Sequence, residues 1–146
     1  MTIRRKNPRL QGLLGLSAAI DWFTRNGYFV AIPLNDSQPW DLVVEDSAGV
    51  LSRVQVKTTT RRARSGRFVV MLETAGGNQS FSTRKPFDNR ASELLFVLTD
   101  EEDMYLIPCG EITVSRGLTL SGTCERFRVT GAQQLVVGEG FEPSKA

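Results

Sequence analysis

The sequence predicts an α/β domain in which an N-terminal helix leads into a mixed, mostly antiparallel sheet. Three observations carry this. Apolar residues recur at helical spacing near the N-terminus, short β-branched and aromatic runs separated by turn residues fill the centre, and 146 residues with 40% hydrophobic and 23% charged content fit one compact domain.

From Gln11 to Asn26, Leu13, Leu16, Ile20 and Phe23 form one stripe of an amphipathic helix, widened by Ala19 and Trp22, and Gly27 is a stop signal. Tyr28 to Ile32 reads as a strand ending at Pro33, followed by the polar loop Asn35-Asp36-Ser37-Gln38-Pro39. Asp41 to Glu45 and Leu51 to Lys57 are two strand-like runs flanking Ser47-Ala48-Gly49, which is hairpin chemistry. Further strands are expected at Phe68 to Glu73, Leu94 to Thr99 and Met104 to Pro108, with a long connection from Ala75 to Ser92. Beyond Glu111 the apolar pattern alternates too weakly to assign an element type. The domain is expected over residues 11–137, preceded by a basic arm over 1–10 and followed by a polar tail over 138–146.

Composition narrows the chemistry. Histidine is absent, which excludes an imidazole base, a His-ligated metal and a His-activated nucleophile. Cys109 and Cys124 lack the spacing of a zinc site and read as free thiols. The N-terminus has no signal-type apolar core and the run Leu94 to Leu98 is far too short for a bilayer, so a cytosolic protein with no membrane partner is expected. The net charge of +2 conceals an asymmetry: 11 basic and 5 acidic residues up to Leu72, against 7 and 11 beyond it.

The hairpin holds the candidate site. Side chains two apart on a strand share a face, so Asp41, Val43 and Glu45 form one set and Arg53, Gln55 and Lys57 another. Pairing about Ala48 brings Asp41 opposite Gln55 or its neighbour, so a carboxylate, an amide oxygen and an ammonium converge at the open end. Oxygen donors suit Mg²⁺, and a nearby ammonium suits a water or a phosphate carrying developing charge. The same spacing also fits a carboxylate that caps a turn and a lysine that ends an amphipathic strand.

At these residues a resemblance enters. Gly27-Tyr28, Ile32-Pro33, Asp36, Pro39-Trp40-Asp41-Leu42-Val43-Val44 and Arg53-Val54-Gln55-Val56-Lys57-Thr58 resemble the PD-(D/E)xK nucleases. The closest likeness is to the group I intron-associated, homing-type endonuclease branch, in which Gln replaces the acidic residue before x-Lys. Leu94-Leu95-Phe96-Val97 and Tyr105-Leu106-Ile107-Pro108 look like the two later strands of that branch, and the likeness covers roughly residues 11–110. It implies a restriction-endonuclease-like core and Mg²⁺-dependent (or Mn²⁺-dependent) hydrolysis of DNA phosphodiesters. Asp41, Gln55 and Lys57 would then be catalytic, Asp41 and Gln55 metal ligands, and Asp36 a spare ligand. The branch carries Gly-Glu early in its first helix, where this chain has Gly15-Leu16, so one carboxylate of the pattern is missing. That departure keeps open a DNA-binding protein on the same fold with weakened or lost cleavage.

Arg53, Lys57, Arg61, Arg62, Arg64 and Arg67 are the six basic residues in the acid-free stretch from Ser47 to Leu72. Arg61, Arg62, Arg64 and Arg67, with Arg53, are expected DNA contacts, as are Arg4, Arg5 and Lys6, which with Arg9 form a second basic block. The expected partner is double-stranded DNA. Cutting both strands requires two active sites, hence a homodimer or a larger homo-oligomer.

Overall fold

A computed structural model of the chain describes residues 7–75 and 84–130. It is an α/β arrangement of an N-terminal helix and a mixed, mostly antiparallel sheet, as expected. Helix α1 (Pro8–Arg25) starts earlier than the apolar stripe suggests, because Asn7 caps it by accepting the Leu10 N–H at 3.1 Å and Pro8 occupies the first turn, where its missing N–H costs nothing. Residues 8–10 therefore belong to the domain and not to an arm; residues 1–6, with Arg4, Arg5 and Lys6, lie outside the described residues. At the other end Gly27, with φ of +83°, closes the helix as the Tyr28 N–H reaches back to the Phe23 carbonyl at 3.0 Å.

The main sheet has strand order β1 (Phe29–Ala31), β2 (Leu42–Glu45), β3 (Leu51–Thr59), β7 (Leu94–Thr99), β8 (Met104–Pro108) and β10 (Arg128–Val129). Every pairing is antiparallel except β3 with β7. The hairpin register is the one centred on Ala48: Leu42 lies opposite Val54 and Glu45 opposite Leu51. Its turn is held by Asp46, whose Oδ1 accepts the N–H groups of Ala48 and Val50, each at 2.9 Å.

The parallel step from β3 to β7 obliges the intervening chain to cross one face of the sheet. It does so through β4 (Val69–Met71), β5 (Thr74–Ala75) and β6 (Arg84–Lys85). The expected long connection thus carries two short paired strands, Thr74 opposite Lys85 and Ala75 opposite Arg84, with residues 76–83 outside the described set. The weakly patterned C-terminal part splits: β9 (Gly117–Thr119) leaves the main sheet to pair with β4, whereas β10 pairs with β8. Between them runs a 3-10 helix, Gly122–Phe127. The expected end of the domain, residues 131–137, and the tail lie outside the described residues.

Each face of the sheet has its own core. Ala19, Trp22 and Phe23 of α1 pack with Leu42, Val44, Val54, Phe96 and Leu98 on one side; Phe68, Val70, Leu72 and Leu120 pack with Leu95, Val97, Tyr105 and Ile107 on the other. Cys109 and Cys124 are buried free thiols of the second core. Gly15 sets how closely α1 lies on β3: a Cβ there would sit 2.5 Å from Thr58 Cγ2 and 3.2 Å from Val56 Cγ1. Among the described residues no helix is long and apolar enough to cross a membrane.

Candidate active site

Proline-bearing chain from Ile32 to Trp40 cannot extend a ladder, so β2 begins only at Leu42. Among the described residues, β3 from Gln55 onward is paired with β7 alone, and no strand lies along its other edge. Asp41 sits where that edge opens. Its N–H donates to the Val54 carbonyl at 2.8 Å, and its Oδ2 accepts the Val56 N–H at 2.7 Å. The carboxylate thereby takes the place of the strand that is missing, and a carboxylate retains acceptor capacity after one such bond.

The register places Gln55 one step beyond the Leu42–Val54 pair, on the Asp41 side of the hairpin. Gln55 lies opposite Leu95 and Lys57 opposite Val97, on the face away from α1, where Gln55 is buried to 8% exposure. Asp41 and Lys57 feel one another's charge, but no direct ion pair joins them. Desolvation dominates at both groups. It raises the Asp41 pKa above 3.8 against the opposing pull of the Val56 N–H and Lys57, and it lowers the Lys57 pKa below 10.5 against the pull of Asp41. Asp41 keeps exposed surface as a residue, and this desolvation reflects the walls around its carboxyl end.

Those walls belong to two adjoining depressions that share Asp41 and Leu16. One, of about 470 Å³, adds Arg9, Gly12, Leu13 and Val56; the other, of about 560 Å³, adds the chain from Ile32 to Asp36 with Gln38 and Trp40. The helix position that lacks a carboxylate therefore does face Asp41. Asp36 shares a depression with Asp41, yet among the described residues no three His, Cys, Asp or Glu side chains approach closely enough to cage a metal.

A family model for PD-(D/E)XK endonucleases matches residues 6–128. The chain belongs to this family. Among solved structures it is similar to a bacterial homing endonuclease, I-Ssp6803I, with 26% identity and a TM-score of 0.69 over 84% of this chain and 88% of that one. That likeness supports the homing-type branch and the fold expected from the sequence. A search of curated proteins gives no match.

The basic residues of this PD-(D/E)XK endonuclease chain divide by what their guanidinium groups touch. Arg53 is engaged with Glu93, Nη2 to Oε2 at 2.5 Å and Nε to Oε1 at 3.1 Å, so it is committed within the fold. Arg62 lies 3.9 Å over the Phe68 ring, donates to the Gly66 carbonyl at 2.6 Å and pairs with Glu101. Arg64 and Arg67 stand exposed, and among the described residues their side chains have no partner. Arg61 borders a separate depression on the other side of the molecule, with Glu73, Arg84 and Arg116. Arg9 lines the Asp41 depression although the sequence groups it with the basic arm: its spacing of four residues to Leu13 and seven to Leu16 is the available signal, masked by the adjacent basic block.

Proposed function

We propose that the protein is an Mg²⁺-dependent DNA endonuclease of the homing type, acting in the cytosol, whose active site is Asp41, Gln55 and Lys57. The observation that carries the reading is the open edge of β3, where Asp41 accepts the Val56 N–H at 2.7 Å and lies within reach of the Lys57 charge without an ion pair to it, both groups being partly desolvated. A charged pair held apart in a poorly solvated place leaves room between its members for a third, reacting group.

The donor set suits a hard cation that takes one or two protein oxygens and keeps its own waters, with Asp41 and Gln55 as the holders and Asp36 as the spare carboxylate. When bound there, Mg²⁺ would supply Lewis-acid stabilisation of phosphoryl charge, with Mn²⁺ an alternative. The Val56 N–H fixes the orientation of the Asp41 carboxylate. Lys57, kept cationic by Asp41, positions the attacking water with its N–H donors and stabilises the charge that gathers on the phosphate oxygens. Its pKa is lowered, which makes it a better donor, but the reading assigns it positioning and electrostatics and leaves proton removal to solvent. Arg9 stands at the mouth of the Asp41 depression as a seat for the phosphate under attack. Arg64 and Arg67 are the free contacts for flanking backbone.

Cleavage of both strands calls for a second copy of the site, so the reading includes a homodimer or a larger homo-oligomer. An exposed apolar row supports it: Phe29, 75% exposed, and Leu51, 62% exposed, both lie opposite Glu45 on the uncovered part of the sheet.

Leu16 favours a second reading, a DNA-binding protein on this fold with reduced or lost cleavage, because it presents an apolar side chain to both depressions beside Asp41. A plasmid-cleavage assay in Mg²⁺ and Mn²⁺ separates the two. Cleavage by the unaltered protein that disappears in Asp41→Ala supports the first reading. Salt-sensitive DNA binding with no cleavage in either metal, and cleavage gained in Leu16→Glu, would support the second.

A further inference from the structure

Two arginines from distant parts of the chain pair with one carboxylate on the side of the molecule opposite α1, and a third, Arg61, whose Nη1 lies 3.6 Å from the Met71 sulfur, lines the same depression. Glu73 follows β4, its side chain only 12% exposed, and its two oxygens are taken by Arg116 Nε at 3.0 Å and Arg84 Nη1 at 3.7 Å. Arg61 borders the same depression, of about 660 Å³, with Met71, Pro86 and Ser115 completing the walls. Arg84 and Arg116 are themselves 71% and 84% exposed, so their guanidinium groups are reached from solvent while the glutamate that anchors them is mostly covered.

Backbone hydrogen bonds lock the three walls together. The Leu72 N–H donates to the Arg116 carbonyl at 2.7 Å, the Phe87 N–H to the Ser115 carbonyl at 2.9 Å, and the Val69 N–H to the Arg61 carbonyl at 2.9 Å. Pairing of Met71 with Gly117, and of Ala75 with Arg84, closes the frame. Exposed ion pairs contribute little to stability, so the arrangement has little value as glue. Its consequence is electrostatic: three cations against one largely covered anion leave a concave surface with excess charge of +2 from the four side chains.

We infer that this cleft of Arg61, Arg84 and Arg116 around Glu73 is a second seat for the phosphate backbone of double-stranded DNA. The inference rests on the nuclease reading for its ligand. Arginine presents a planar fork that matches a phosphate, and Glu73 holds two of the forks in fixed positions so that less side-chain freedom is lost on binding. Arg61 lies four residues beyond Lys57 and two past the end of β3, so a short piece of chain joins the open edge of β3 to the cleft. The ligand chemistry is the phosphodiester backbone and carries no base preference.

The test is equilibrium binding of a short fluorescent duplex in EDTA over about 50 to 200 mM salt. Each phosphate contact contributes about 0.9 to the slope of log K against log salt on duplex DNA. Arg116→Ala and Arg61→Ala are each expected to reduce that slope by about 0.9, and the double variant by about twice as much. Arg116→Lys keeps the charge and is expected to keep most of the slope. Arg25→Ala, on the outer face of α1 and paired with Asp21, is expected to match the unaltered protein.

Slopes in the cleft variants equal to that of the unaltered protein would overturn the inference. Loss of slope in Arg116→Lys as large as in Arg116→Ala would overturn it too, because charge would then not be the cause. Cleavage in Mg²⁺, followed separately, reports on the nuclease reading: a protein that cleaves but whose cleft variants bind unchanged loses only the cleft. A protein with no salt-dependent affinity for the duplex loses both.

Discussion

Two carboxylates perform the same local task on strand β3 and end in opposite electrostatic states. Glu93 accepts the Arg53 N–H at 2.8 Å and Asp41 accepts the Val56 N–H at 2.7 Å, each filling a place where one neighbouring strand is absent. Glu93 is also gripped by the Arg53 guanidinium, and these bonds hold its carboxyl below the ordinary 4.5. Asp41 has a cation near but not in contact, and desolvation holds its carboxyl above the ordinary 3.8. The first pair is satisfied and closed; the second is left short of a partner. A fold that can build the closed arrangement at Arg53, yet does not do so four residues on at Lys57, has an unfilled requirement there, and the nuclease reading supplies what fills it.

The comparison can be broken most readily at Lys57. Lys57→Ala is expected to reduce single-turnover cleavage in Mg²⁺ by about 10²- to 10³-fold, the usual cost of removing one donor aimed at transition-state charge, while duplex binding persists. Equal loss of binding and cleavage would make Lys57 one more backbone contact. Next in size is Leu16→Glu. With a second carboxylate facing Asp41, the Mg²⁺ concentration for half-maximal cleavage is expected to fall by about tenfold or more, and an unchanged metal dependence would mean that this helix position does not serve the site.

Gly15 tests the seating of α1 on β3. Gly15→Ala drives a methyl against Thr58 Cγ2, and overpacking of this kind costs about 1–3 kcal/mol, measured by urea unfolding. The smallest effects concern the carboxylates themselves. Because Asp41 in the fold holds its proton to higher pH than in the unfolded chain, its contribution to stability falls as pH rises through the window from 3.8 up to the raised value. Glu93 behaves in the opposite sense: its contribution is present above 4.5 and is lost as pH drops through its lowered value. Lys57 adds stability as pH rises from its lowered pKa towards 10.5. At neutral pH, Asp41→Asn is expected to raise Tm and Glu93→Gln to lower it, each by about 1–3 °C.

The sequence shows some of this and conceals the rest for identifiable reasons. Helix α1, the hairpin register about Ala48 and strands β7 and β8 were legible because periodicity and turn chemistry are local. So was the place of Asp41 beside β3 near Gln55 and Lys57, which follows from that register, and so was Leu16 as an apolar residue of α1. The pairing of β4 with β9 was not legible, since Val69 and Thr119 meet through the fold and neither run is long enough to announce a partner. Nor was the fate of Arg53: its partner Glu93 is forty residues away, and charge spacing along a chain says nothing of such a pair. Arg9 was read with its basic neighbours because the cap at Asn7 draws the helix start further back than its apolar stripe does. The arginines around Glu73 come from three separate segments and have no signature in any one of them.

The most direct measurement sets the two carboxylates side by side: single-turnover cleavage of one duplex in Mg²⁺ by Asp41→Asn and by Glu93→Gln, each with its affinity for that duplex measured in EDTA. Both substitutions keep size and an acceptor oxygen while removing charge. The account predicts a loss of about 10²-fold or more for Asp41→Asn at unchanged affinity, and a rate within about threefold of the unaltered protein for Glu93→Gln. Equal rates for the two variants would contradict it, because the open edge of β3 would then be no more than another place where a carboxylate caps a strand.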